Sequence, residues 1–111
     1  MSRITTHVLD TSRGLPGAGI RVRLERLTDS VTPTPVAKGI TDADGRAAPL
    51  TEELPPGRYR LVFGTGEWFA AQGLATLYPE VVVHFEVLRG ERHYHIPLLL
   101  SPFGYSTYRG S

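Results

Sequence analysis

The feature that most limits the folds open to this chain is the alternation of apolar and polar residues in short runs cut by glycine and proline. In IRVRLERL, Ile20, Val22 and Leu24 alternate with Arg21, Arg23 and Glu25. Successive side chains on a strand point to opposite faces, so such a run buries one face and wets the other. RITTHVLD sets Ile4, Thr6 and Val8 against Thr5, His7 and Leu9. GRYRLVFG sets Tyr59, Leu61 and Phe63 against Arg58 and Arg60, and EVVVHFEV puts Val81, Val83, Phe85 and Val87 on one face. With 12 Gly and 9 Pro in 111 residues, turns break the chain too often for long helices. GLPGAG reads as a turn and TDSVTPTP as a loop, with Val36 to Thr41 a short strand before DADG. A further strand opens at Arg46, another is RHYHIPLLL, and SPFG turns the chain into a last strand, YSTYRGS. GEWFAAQGLATL is the one helical stretch, with few β-branched residues and Gly73 to stop it. About eight strands and one short helix predict an all-β sandwich or barrel, with residues 1–111 as a single domain.

Charge and composition exclude several functions. Twelve basic against eleven acidic residues leave a net charge of +1, too little to attract nucleic acid or an anionic membrane over distance. No cysteine is present, which removes disulfide scaffolds and thiolate chemistry and fits a reducing compartment. The start MSRITTHVLD has no apolar signal core, and no apolar run is long enough to cross a bilayer as a helix. The expectation is a soluble cytoplasmic protein. A domain of this size buries a modest core, so oligomerisation is a natural source of added stability.

Reactive side chains gather in few places. In RHYHIP, His93 and His95 are two apart on a strand, hence on one face and roughly 7 Å from each other. Exposed histidine pairs of this kind are common. The spacing also suits half of a zinc site, with His7 as a third ligand, but no cysteine or neighbouring carboxylate completes it. His7 falls on the outer sheet face if Ile4 and Val8 face the core. TDADGR lacks the further ligands of a calcium loop and reads as a hairpin turn, leaving Arg46 at the mouth of the next strand. There its rigid guanidinium fork could grip a planar polar ligand. No nucleophile elbow, phosphate-cradling glycine loop or paired carboxylates are present.

THVLD, TDADGR, LYPEVVVHF and the ending HYHIPLLLSPFGYSTYRGS together resemble the 5-hydroxyisourate hydrolases, enzymes of purine catabolism related to transthyretin. The tail YRGS is the most specific element, since it separates the enzymes from the hormone carrier. The resemblance implies a transthyretin-like sandwich of two four-stranded sheets with one short helix, assembled as a homotetramer, a dimer of dimers around a channel. It implies hydrolysis of 5-hydroxyisourate to 2-oxo-4-hydroxy-4-carboxy-5-ureidoimidazoline, with no metal and no cofactor. The matching positions are His7, Arg46, His95, Tyr108, Arg109, Gly110 and Ser111. On this reading His7 and His95 orient and deprotonate water, Arg46 grips and polarises the substrate, and His93 supports the site or lines the channel.

The tail is expected to complete the site. The last strand alternates, so Ser106, Tyr108 and Gly110 share one face and Tyr105, Thr107 and Arg109 the other, with Tyr108 expected to wall the pocket near His95. Gly110 would let backbone approach the ligand, Arg109 would anchor the tail by an ion pair, and Ser111 would offer a hydroxyl and a free carboxylate to a histidine or the substrate. Leu98, Leu99 and Leu100 supply apolar surface on both strand faces, fitting an assembly. The competing readings are a transthyretin-like carrier without turnover and a zinc-binding β-module built on His7, His93 and His95.

Overall fold

The computed structural model describes residues 2–29 and 31–111, without the side chains of Ala48, Pro49 and Glu52; Ser30, inside the expected loop, and Met1 lie outside the described residues. The strands are β1 (Ser2–Asp10), β2 (Leu15–Pro16), β3 (Arg21–Leu27), β4 (Thr34–Ile40), β5 (Arg46–Leu54), β6 (Gly57–Phe63), β7 (Val81–Val87), β8 (His93–Ser101) and β9 (Gly104–Thr107), with helix α1 (Thr65–Ala71) after β6. One sheet runs β4-β3-β6-β7. The other runs β2-β1-β8-β9, with β5 also paired to β1. This is the expected two-sheet sandwich with one short helix, but one sheet has five strands where four were expected, because β2 and β5 both pair with β1.

The inward halves of the alternating strands form the core. Ile4, Val8, Val22, Leu24, Tyr59, Leu61, Phe63, Leu98 and Leu100 are all buried, and Phe69 pins α1 to them. Each such side chain contributes roughly 1.5–3 kcal/mol by leaving water. Truncating one, as in Leu98→Ala, should cost about 2–5 kcal/mol once the cavity is counted. The Tyr59 hydroxyl, the polar tip of a buried ring, donates to the Pro55 carbonyl at 2.6 Å.

Four boundaries differ from the sequence reading, each for a physical reason. Leu15 and Pro16 are a short strand and not only a turn, because β5 covers β1 from Ser2 to His7 and leaves Leu9 and Asp10 to pair with β2. Strand β4 begins at Thr34 and includes Pro35, inside the expected loop. It lies on the sheet edge, where a residue lacking N–H is tolerated, and its register slips between Leu24 and Glu25. Helix α1 ends at Ala71, and Gly73 follows at φ 71°, so Leu74 to Leu77 fall outside it. The last strand ends at Thr107 and does not reach Ser111.

That last break traces to Pro97. Strand β9 pairs with β8 antiparallel, Leu98 opposite Thr107 and Leu99 opposite Ser106. Extending this register sets Pro97 opposite Tyr108, and an isolated bridge does join His95 to Gly110. Gly110 donates its N–H to the His95 carbonyl at 2.7 Å, so backbone groups of His95, and by alternation of Pro97, face the tail. Proline has no N–H to give there, and the ladder lapses. The Thr107 hydroxyl instead donates to the Pro97 carbonyl at 2.7 Å.

A candidate active site on the outer face of one sheet

Three strands position the reactive groups. Strands β1 and β8 run parallel, with Arg3 opposite His93, Thr5 opposite His95 and His7 opposite Pro97. On the other edge of β1, antiparallel β5 sets Arg46 opposite His7. With Ile4 and Val8 in the core, the alternation turns Arg3, Thr5 and His7 to the outer face, and His93 and His95 join them.

The turn before Arg46 holds it in place. Asp42 accepts backbone N–H groups from Asp44 at 2.9 Å and Arg46 at 3.0 Å. These bonds, that from Arg46 foremost, hold the Asp42 carboxyl below its ordinary range. Gly45 has φ 78°, and a Cβ there would sit 2.4 Å from the Val8 carbonyl oxygen. Only glycine fits. DADG is therefore a turn, and no group of carboxylates and histidines suited to a metal occurs among the described residues.

A cavity of about 430 Å³ opens on this face, lined by Arg3, Thr5, Thr6, Arg46, His93, His95 and Ser111. The Thr5 hydroxyl lies 2.9 Å from Nε2 of His93 and 2.8 Å from Nδ1 of His95, joining the two rings. The ring centroids are 6.4 Å apart, as the strand spacing predicts. Desolvation by burial lowers the His95 pKa first, and the charges of Arg46, His93 and His7 lower it further. His95 is therefore a neutral imidazole at pH 7, able to accept a proton.

The structure thus brings Arg46, His95 and Ser111 into one cavity. His7 stands beside Arg46 in the β1–β5 ladder, outside the lining, and acts on His95 through its charge. Tyr108 is 57% exposed and does not wall the cavity. Arg109 also lies outside the lining: its guanidinium pairs with Glu91 at 3.1 Å and stacks 4.5 Å from the centre of the Tyr94 ring. The expected anchor is present, made within one chain. Gly110 allows a close approach, but to His95 and not to the open cavity. A Cβ at 110 would lie 2.5 Å from Cδ2 of His95.

Arg3 and Thr5 were not expected as site residues. Thr5 shares the His7 face in the sequence, but its role depends on β8 lying alongside in one register. No local signal announces that pairing across 90 residues of separation.

A small enzyme-like cleft of histidine and arginine on the outer sheet of a two-layer sandwich defines the class. The HIUase/Transthyretin family model matches residues 4–110, and the chain belongs to that family. It is 47% identical over 116 residues to the 5-hydroxyisourate hydrolase of Caulobacter vibrioides, covering 100% of both chains. The 5-hydroxyisourate hydrolase structure from Klebsiella pneumoniae superposes with a TM-score of 0.89 at 39% identity, covering 99% of this chain and 100% of that one. Sea bream transthyretin in complex with thyroxine superposes as well, with a TM-score of 0.91 at 33% identity and coverage of 96% and 93%. Backbone similarity therefore does not divide hydrolase from carrier, and side chains must.

Proposed function

We propose that this chain hydrolyses 5-hydroxyisourate, opening its ring amide to give 2-oxo-4-hydroxy-4-carboxy-5-ureidoimidazoline in urate degradation. The observation that carries the reading is a neutral, partly buried His95 facing a cavity it shares with Arg46. A carrier can use a fixed cation to pair with its ligand's carboxylate, but it gains nothing from a base kept unprotonated beside that cation. A hydrolase needs both.

The substrate is a planar, electron-poor bicycle, so attack by water requires a base and a stabiliser for the developing oxyanion. His95 takes the proton as water adds to the amide carbonyl. Arg46 binds the carbonyl and imide edge and receives the negative charge that builds there. Its charge also keeps imidazolium unfavourable, so the base is ready at neutral pH. His7 orients the water or shares the proton from its place next to Arg46. Ser111 closes the cavity on the side of the tail, with Arg109 and Gly110 holding it there. The chemistry calls for no metal or cofactor, and activity should persist in excess chelator.

The working unit in this reading is a homotetramer in the cytoplasm. Four sites would line a channel formed by the outer face that carries His95. No helix among the described residues is long and apolar enough to cross a membrane. The test is direct: purified protein is added to freshly generated 5-hydroxyisourate, and the loss of ultraviolet absorbance is compared with spontaneous decay. Decay no faster than in buffer overturns the proposal. Tight thyroxine binding without turnover would favour the carrier.

A further inference from the structure

The geometry points to Thr5 and His93 as positioning residues that set the tautomer of His95 and carry its proton. This inference rests on His95 being the base. A threonine hydroxyl has one proton to donate. Its oxygen lies within hydrogen-bond distance of a ring nitrogen of each histidine, 2.8 Å from Nδ1 of His95 and 2.9 Å from Nε2 of His93. It can donate to only one of the two rings, so at least one ring must donate to it. With the hydroxyl proton shared with one ring, the two tautomers are opposed.

Only one of the two arrangements makes His95 a base toward the cavity. In that arrangement Nδ1–H of His95 donates to the Thr5 oxygen, and Thr5 donates to a bare Nε2 of His93. Nε2 of His95 then carries a lone pair. In the reverse arrangement that nitrogen carries a proton and cannot take another without charging the ring. The surroundings favour the first. Arg3 and Arg46 line the cavity and attract the lone-pair end of the ring dipole. His7 adds its influence from the neighbouring ladder position. From the tail, Arg109 is paired with Glu91, and Ser111 lines the same cavity. Thr5 is only 8% exposed, so water does not readily replace its bonds.

The same bonds form a path for the proton. When Nε2 of His95 takes a proton from water, Nδ1–H passes to the Thr5 oxygen and the Thr5 O–H proton passes to Nε2 of His93. Hydroxide adds to the amide carbonyl carbon, the C–N bond breaks, and the departing nitrogen recovers the proton by the reverse path. One water is consumed, and both histidines end as they began.

The test combines ring-nitrogen NMR with two substitutions. In the 15N-labelled protein near neutral pH, His95 should show a protonated Nδ1 and a bare Nε2, and His93 a bare Nε2. Thr5→Val keeps the shape and removes the hydroxyl. It should lower kcat about ten- to a hundredfold, the scale of misdirected acid–base catalysis, with KM within about threefold. Thr5→Ser should restore kcat to within about threefold of the parent, which a purely structural role for the methyl group would not allow. A wild-type spectrum with the proton on Nε2 of His95, or Thr5→Val with undiminished kcat, overturns the inference. If the parent chain fails to hydrolyse 5-hydroxyisourate, the function falls, yet the NMR spectrum still decides the tautomer.

Discussion

The two outer sheet faces of this sandwich are built from the same local pattern and have opposite chemistry. On the β3–β6 face, cations meet carboxylates. Glu25 pairs with Arg60 at 2.7 Å and with Arg23 at 3.4 Å, and Arg21 lies 3.5 Å from Glu67. Arg60 lowers the Glu25 pKa, chiefly through their hydrogen bond. On the β1–β8 face, Arg3 and Arg46 share a cavity with His93 and His95, and no Asp or Glu lines it. Positive charge that is neutralised holds a surface together modestly. Positive charge with no Asp or Glu beside it keeps a histidine unprotonated and waits for an electron-rich ligand. Having arginines on a strand does not distinguish the faces; the cross-strand partners do.

The sharpest way to break this comparison is to alter both faces and compare the losses. His95→Asn or Arg46→Ala should reduce turnover of 5-hydroxyisourate at least about a hundredfold with the fold retained by circular dichroism. Arg60→Ala, on the paired face, should leave turnover within about twofold. Equal losses would erase the distinction.

A somewhat smaller effect is expected from the tail. Gly110→Ala places a methyl group against Cδ2 of His95 and must displace the ring or the chain. We expect kcat to fall about tenfold, with the ring resonances of His95 shifted and stability little changed. A tag fused after Ser111 should act in the same direction, and an amino-terminal tag should be milder. A C-terminally tagged protein with full activity would remove the tail from the mechanism.

The pH dependence separates the faces more finely. Burial and the charge of Arg46 lower the His95 pKa, so the acid limb of the kcat/KM profile should lie below the ordinary imidazole value of about 6.5. Arg46→Ala should raise the His95 pKa in an NMR titration, because imidazolium loses a repelling neighbour. The stability sign follows. A histidine with a depressed folded pKa binds protons more readily when unfolded, so its contribution is complete above about 6.5 and is lost as pH falls through the folded value. An unchanged His95 titration in Arg46→Ala would show that the cation does not tune the base.

The smallest effect belongs to Glu25→Gln, which should cost about 1 kcal/mol by denaturant melting and leave kcat unchanged. The Glu25 pKa is depressed, so this difference should shrink in acid as pH falls through the folded value, where parent Glu25 is protonated too. A loss of turnover here would mean that the two faces communicate.

The inward strand faces were legible from period-two alternation, and so was the shared face of His93 and His95, because both depend on strand geometry alone. The DADG turn was legible as well, from residue types whose conformational preferences are local. What alternation predicted wrongly was the tail, where Tyr108 to Gly110 were expected to continue the strand that ends at Thr107. The missing donor is Pro97 on the neighbouring strand, and a residue cannot announce in its own sequence what its partner lacks. The amino-acid sequence by itself therefore determined the two-faced strands, the turns and the supply of histidine and arginine. Only the tertiary structure decided that Thr5 ties His93 to His95, that Arg46 stands opposite His7, and that Gly110 lies against the base. Those contacts join residues distant along the chain through parallel and antiparallel register. Register is set by the packing of whole sheets, since a slip of one residue would exchange every buried side chain for an exposed one.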